Sequence, residues 1–154
     1  MLTEDKIGTL SGPVSITIAT RDSDLKPHFS RGWGAKISTD KKEMTVILPE
    51  ITSKQALADI EDNKLIAVTC GDLTTFVTRQ FKGRVKEVRN SVASDAEIID
   101  GVKKPGAEVI GQFFGPSAGE GWKKYKVMPA KVVTFFIENL FDQSPGKTAG
   151  EKLL

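Results

Sequence analysis

The sequence predicts an α+β domain built on a small antiparallel β-barrel with helices set to one side. Three observations carry that expectation. Six segments alternate apolar and polar residues, or run apolar over the length of a strand. Short polar turns join the first three as a meander. Helical periodicity appears in only two places, after the third strand and before the last, so the strands are not separated one by one by crossover helices. A chain of 154 residues fits a single domain over 1–154, with 141–154 as a C-terminal tail.

Val14, Ile16 and Ile18 alternate with Ser15, Thr17 and Ala19, the pattern of a half-buried first strand. Asp22-Ser23-Asp24 is a hairpin loop, and Pro27 opens a second strand. In it Phe29, Trp33, Ala35 and Ile37 share one face, and Ser30, Gly32, Gly34 and Lys36 the other. After the turn at Thr39 to Lys42, Met44, Val46 and Leu48 form the third strand, stopped by Pro49. Thr52 and Gln55 have capping-box spacing ahead of Ala56, Leu57 and Ile60, which predicts a helix over 53–62.

Leu65 to Cys70 is a continuous apolar run suited to a buried strand. Phe76 to Val88 is a long alternating strand in which Gly83 marks a bulge or a close backbone approach. Ser94 and Glu97 repeat the capping-box spacing and lead into Ile98, Ile99 and Val102 on one stripe. Pro105 predicts a break, with a second helical piece carrying Val109, Ile110 and Phe113. Gly115 to Gly121 reads as a glycine-rich loop. The last strand, Ala130 to Phe141, is apolar on both faces up to Ile137, so it is central or covered by a partner chain.

Composition narrows the function classes. A net charge of +2 is far below what a non-specific nucleic-acid binder uses to displace counterions. The single cysteine, Cys70, excludes an intrachain disulfide and a cysteine zinc site, and it points to a reducing, cytoplasmic compartment. No apolar run is long enough to span a membrane. With His28 as the one histidine, no histidine metal cluster can form, and any Ser-His-Asp or Cys-His relay must use it. Gly146-Lys147-Thr148 lacks the upstream glycine of a phosphate-binding P-loop, since Phe141 stands there.

Some residues remain open to two readings. Arg31 and Lys36 are either solvated charges or, if the glycines between them twist the strand, two cations near one anion. Ser53 and Lys54 lie at a helix start, where unpaired N–H groups, a hydroxyl and an ammonium suit a phosphate; capping alone also explains the site. The run Arg79, Lys82, Arg84, Lys86 and Arg89 is a solvated strand edge or the wall of an anion pocket.

The order of these segments resembles the pyridoxamine 5′-phosphate oxidase-like FMN-binding split-barrel family. The resemblance rests on Val14 to Thr20, Asp24 to Arg31 and Met44 to Pro49. It continues in Ile60-Glu-Asp-Asn63, Gln80 to Arg84 and Phe141 to Gly146. It implies a six-stranded antiparallel split β-barrel with flanking helices, assembled as a homodimer that holds FMN at the subunit interface. Arg31 and Lys36 reproduce the spacing of a family pair that holds the FMN phosphate, Ser53 and Lys54 correspond roughly to a family helix start, and Gln80 to a glutamine beside the flavin. Val46, Ile47 and Leu48 would line the ring edge mainly through their backbone.

The resemblance implies a flavoprotein that moves electrons or hydride between a reduced nicotinamide and a small acceptor. The family's C-terminal Arg-x-His motif is missing, so vitamin B6 is not the expected substrate. The alternative is a non-enzymatic dimer, a carrier or redox sensor that binds flavin, deazaflavin or haem, with His28 as the candidate haem ligand. The flavin would carry the chemistry, so no catalytic side chain or metal ligand is assigned.

Overall fold

The computed structural model describes residues 2–154. It contains β1 (Val14–Arg21), β2 (Pro27–Gly32), β3 (Ala35–Ile37), β4 (Glu43–Pro49), β5 (Leu65–Asp72), β6 (Thr78–Asn90) and β7 (Ala130–Asp142). The helices are α1 (Glu4–Ile7), α2 (Lys54–Asn63), α3 (Ala96–Phe114) and α4 (Pro116–Lys124). All strand pairs are antiparallel, in the order β2-β1-β5-β6-β7-β4-β3. Seven strands stand where six are predicted because the second one breaks at Trp33 and Gly34. Its first half pairs with β1 and its second with β4, so the two edges of the sheet are one bent segment and the wall rolls into a barrel.

Glycine makes this corner possible. A Cβ on Gly32 would lie 2.7 Å from both Ile16 and Ile18, and one on Gly34 would lie 2.8 Å from Ile98. The corner is pinned to β4 by Trp33 N–H donating to the Ile47 carbonyl and Ile47 N–H donating to the Gly34 carbonyl. Inside the barrel, Val14, Ile16 and Ile18 pack with Met44, Val46, Leu48, Val68, Phe81, Phe135 and Leu140. A second apolar cluster lies on the outer face, where Ile47, Val132 and Trp33 meet Ile99 and Val127.

Two helical expectations are corrected. Pro105 does not break α3, which runs unbroken from Ala96 to Phe114. A proline there leaves the Gly101 carbonyl without its helical donor. The Gly12 N–H supplies one at 2.8 Å, joining the middle of α3 to the approach to β1. The glycine-rich stretch is α4 and not a loop. Pro116 sits in its first turn, where a missing N–H costs nothing.

Neither predicted capping box forms: no side-chain cap is present on α2 or α3. The C-terminal tail is also more ordered than a plain tail, since Lys152 pairs with Phe141 and Leu153 and Leu154 pack against the core.

Candidate functional site

The alternation that buries Ile16, Ile18, Val68, Cys70 and Phe81 turns their neighbours outward. Register then aligns those neighbours across strands. Arg31 on β2 faces Thr17 on β1, Thr17 faces Thr69 on β5, Thr69 faces Gln80 on β6, and Gln80 faces Phe141 on β7. The row is half-buried on the outer wall, and within it Gln80 Nε2 donates to Thr69 Oγ1 at 3.2 Å.

Arg31 terminates the row beside an aromatic cluster. Its guanidinium lies 5.0 Å from the Trp122 ring, and Nη1 reaches Ser15 Oγ at 3.4 Å. Trp122 packs on Trp33, which stacks on Tyr125 with centroids 4.6 Å apart. Burial pulls the arginine pKa below its ordinary value, opposed by Tyr125. No carboxylate lies within ion-pair distance of Arg31 among the described residues. A half-buried cation that faces hydroxyls and aromatic rings, with no anion of its own, is a site with charge to spare for a ligand.

Lys36 joins Arg31 on the outer face. A flat strand would place them on opposite faces, but the corner at Trp33 and Gly34 shifts the alternation. Ala35 then points inward and Lys36 outward, opposite Thr45. Lys36 also has no ion-pair partner in the described structure. Lys54 is exposed at the start of α2, beside a groove of about 660 Å³ lined by Ile51, Leu57 and Met128. The residue two before it, Thr52, places Oγ1 3.5 Å from the Tyr125 hydroxyl. The helix start and Arg31 therefore border one aromatic cluster.

The remaining expected positions are engaged inside the fold. Ser53 is 1% exposed and its hydroxyl is hydrogen-bonded to Ser30. Val46, Ile47 and Leu48 are fully buried. β7 pairs along one side of Val46 to Leu48, β3 pairs on the other side only as far as Val46, and both backbone groups of Ile47 are spent on the corner. No local signal in the sequence singles out Ser15, Thr17, Thr69 or Trp122, because only register and the α3–α4 packing bring them to Arg31 and Gln80.

A second polar cluster lies at the other end of β1 and β2. Asp59 on α2 is 2% exposed. It accepts from Thr20 Oγ1 at 2.7 Å and His28 Nδ1 at 2.8 Å on one oxygen, and from Gln55 Nε2 at 3.1 Å on the other. Burial pushes its pKa up, but the bonds from Thr20, Gln55 and His28 together outweigh this and hold it below the ordinary carboxylate range. The carboxylate is thus an acceptor, and His28 carries its proton on Nδ1. Among the described residues no group of three His, Cys, Asp or Glu side chains is placed to hold a metal ion, and no helix is long and apolar enough to cross a membrane.

No protein-family model matches the sequence, and no curated protein is significantly similar to it. Solved structures do match. HupZ of Group A Streptococcus superposes with a TM-score of 0.55 at 20% identity, over 97% of this chain and 100% of that one. An F420 reductase gives 0.53 at 14% identity, over 90% and 98%. A Clostridium acetobutylicum protein related to general stress protein 26, of the pyridoxinephosphate oxidase family, gives 0.51 at 15% identity, over 92% and 86%. The corner between β2 and β3, the rolled antiparallel wall and these superpositions agree: the chain has the split-barrel fold of the pyridoxamine 5′-phosphate oxidase-like proteins.

Proposed function

We propose that the protein is an FMN-binding homodimer that passes electrons or hydride from a reduced nicotinamide to a small acceptor. The observation that carries this reading is Arg31, half-buried against Trp122 without a carboxylate and aligned across the wall with Gln80. The residues present fit the group. Arg31 and the helix start carrying Lys54 border the aromatic cluster, and both cations, like Lys36 on the same outer face, are free of ion pairs among the described residues, which suits a phosphate. Thr17, Thr69 and Gln80 offer donors and acceptors along the row to a polar ring edge. Phe29, 70% exposed on the same wall, is apolar surface for a second subunit to cover.

Bound flavin would supply two-electron redox chemistry. The chain's own residues would neutralise the phosphate, orient the ring through Gln80 and exclude water through the subunit contact. Deazaflavin would use the same cations. A haem-binding carrier rests on a different observation: Asp59 fixes the His28 ring and takes only one of its nitrogens, which is how metal-ligating imidazoles are oriented.

Absorbance of purified protein, followed by FMN titration, tests the reading. Saturable binding at one FMN per chain is expected. Arg31→Ala is expected to weaken it by the worth of one charge-assisted hydrogen bond, about 1.5–3 kcal/mol, or roughly 10- to 100-fold. Unchanged affinity in Arg31→Ala overturns the phosphate assignment, and a Soret band in place of flavin absorption shifts it to His28. Reduction of bound flavin by NADH or NADPH separates an enzyme from a carrier.

A further inference from the structure

We infer that the surface around the connector from α4 to β7, residues 125–129, is a second binding site, and that its ligand is a free amphipathic anion: a hydrocarbon chain with an anionic head group. The site goes beyond the flavin reading and shares only Lys54 with it. The connector separates two grooves. One, of about 660 Å³, is lined by Ile51, Leu57, Met128 and Pro129, and the other, of about 290 Å³, by Ile99, Tyr125 and Val127. Lys126 and Met128 line both, so the two form one elongated cleft. Clefts that hold small ligands span about 300–1,000 Å³.

The lining calls for a chain. Ile51 is 75% and Met128 44% exposed, so apolar surface is left in water that a hydrocarbon would cover. Met128 is also flexible enough to follow the contour of a chain, and its sulfur is steadied by the Ser91 hydroxyl at 3.2 Å. Leu57 is half-buried and Ile99 and Val127 are buried, so the lining is recessed. A single chain reaches into such a recess, whereas the flat surface of a bilayer does not.

Charge selects the head. The carboxylates along the cleft are Glu50, Glu61 and Asp100, and the cations are Lys54, Lys103, Lys124, Lys126 and Lys131. Glu50 is paired with Lys131 at 3.2 Å, and Asp100 with Lys104 at 3.1 Å. Lys54, Lys103, Lys124 and Lys126 have no ion pair among the described residues. Four free cations thus stand against Glu61 alone, a surplus of +3 in a chain whose net charge is +2. Glu61 lies two turns beyond Lys54 on α2, about 10 Å along the helix axis. The head therefore sits where the grooves join, beside Lys126, with the chain over Met128 and Ile51.

Calorimetric titration of the flavin-free full chain with monomeric decanoate tests this. Saturable binding at one decanoate per chain is expected, weakening at least about 2-fold for each methylene removed through octanoate to hexanoate. Decyltrimethylammonium, the same chain with the opposite charge, is expected to bind at least about 10-fold more weakly. Ile51→Asp and Lys126→Glu lie at exposed positions, and circular dichroism and thermal melting verify that both fold. Each is expected to lower decanoate affinity at least about 10-fold. No saturable binding, affinity indifferent to chain length or to the sign of the head, or affinity unchanged in either variant overturns the site. Binding to phosphatidylglycerol vesicles without binding of decanoate would overturn it in favour of a bilayer. Displacement of decanoate by FMN would overturn it by placing the anion in the flavin site. The other arms use no flavin, so the cleft and the flavin reading fail separately.

Discussion

Replacing Asp59 by alanine removes the acceptor that joins α2 to β1 and β2. The cost follows from what is stranded. The Thr20 hydroxyl is in a residue 6% exposed and has no other partner among the described residues, so it loses its bond with little access to water, at about 1–3 kcal/mol. The His28 side chain is 18% exposed and Gln55 is exposed, so both can turn to solvent at little cost. With a small cavity added, the expected loss is about 2–4 kcal/mol. For a urea slope of about 2 kcal/mol/M, the midpoint falls by about 1–2 M at fixed protein concentration.

Thr20→Val in the Asp59→Ala background removes the stranded hydroxyl, so the double variant should be no less stable than Asp59→Ala alone. The sign with pH is also set. The folded-state pKa of Asp59 is depressed by the bonds from Thr20, Gln55 and His28 against the opposing effect of burial. Its contribution is full above the ordinary carboxylate pKa of about 4 and is lost as pH falls through the folded value. The gap between wild type and Asp59→Ala must therefore narrow in acid. A gap below about 0.5 kcal/mol at pH 7, or one that widens as pH falls, would refute the network as a source of stability.

Two further perturbations probe the wall and the approach to α3. Gly83→Ala would put a Cβ 1.8 Å from the Phe136 carbonyl oxygen at the bulge between β6 and β7, and is expected to cost about 3 kcal/mol or more; a melting temperature within about 2 °C of wild type contradicts this. Asp95 accepts two 2.8 Å bonds from Arg89 and one from the Val92 N–H, with the Arg89 bonds foremost in holding its pKa down to about 2. Because Arg89 is 37% exposed, Asp95→Asn should cost only about 1–2 kcal/mol at neutral pH, and the cost should fade between about pH 4 and pH 2; a pH-independent loss excludes the ion pair as its origin.

The strands were legible because burial on one face writes a period of two into sequence, as Val14 to Ala19 shows. The helices were less so. Pro105 is tolerated because Gly12, more than ninety residues away, bonds the carbonyl that proline strands, and no local rule reports that partner. Ser53 and Gln55 have helix-start chemistry, but other partners claim both: Ser53 bonds Ser30 on β2, and Gln55 bonds Asp59 one turn along α2. For Pro105 and Ser53 a long-range contact outcompetes the local rule, and for Gln55 a bond within the same helix displaces a cap worth about 1 kcal/mol.

The candidate site shows the same limit more sharply. Arg31 and Lys36 are five residues apart, and an odd separation on a regular strand parts them by the thickness of the sheet. They share a face only because the strand turns a corner at Trp33 and Gly34, where two glycines let Ile16, Ile18 and Ile98 close in. The packing that bends the strand is therefore also what changes which side Lys36 presents. Filling the corner would reorient a charge as well as strain the core. A site of this kind depends on the barrel closing, and its residues acquire a common direction only in the folded wall.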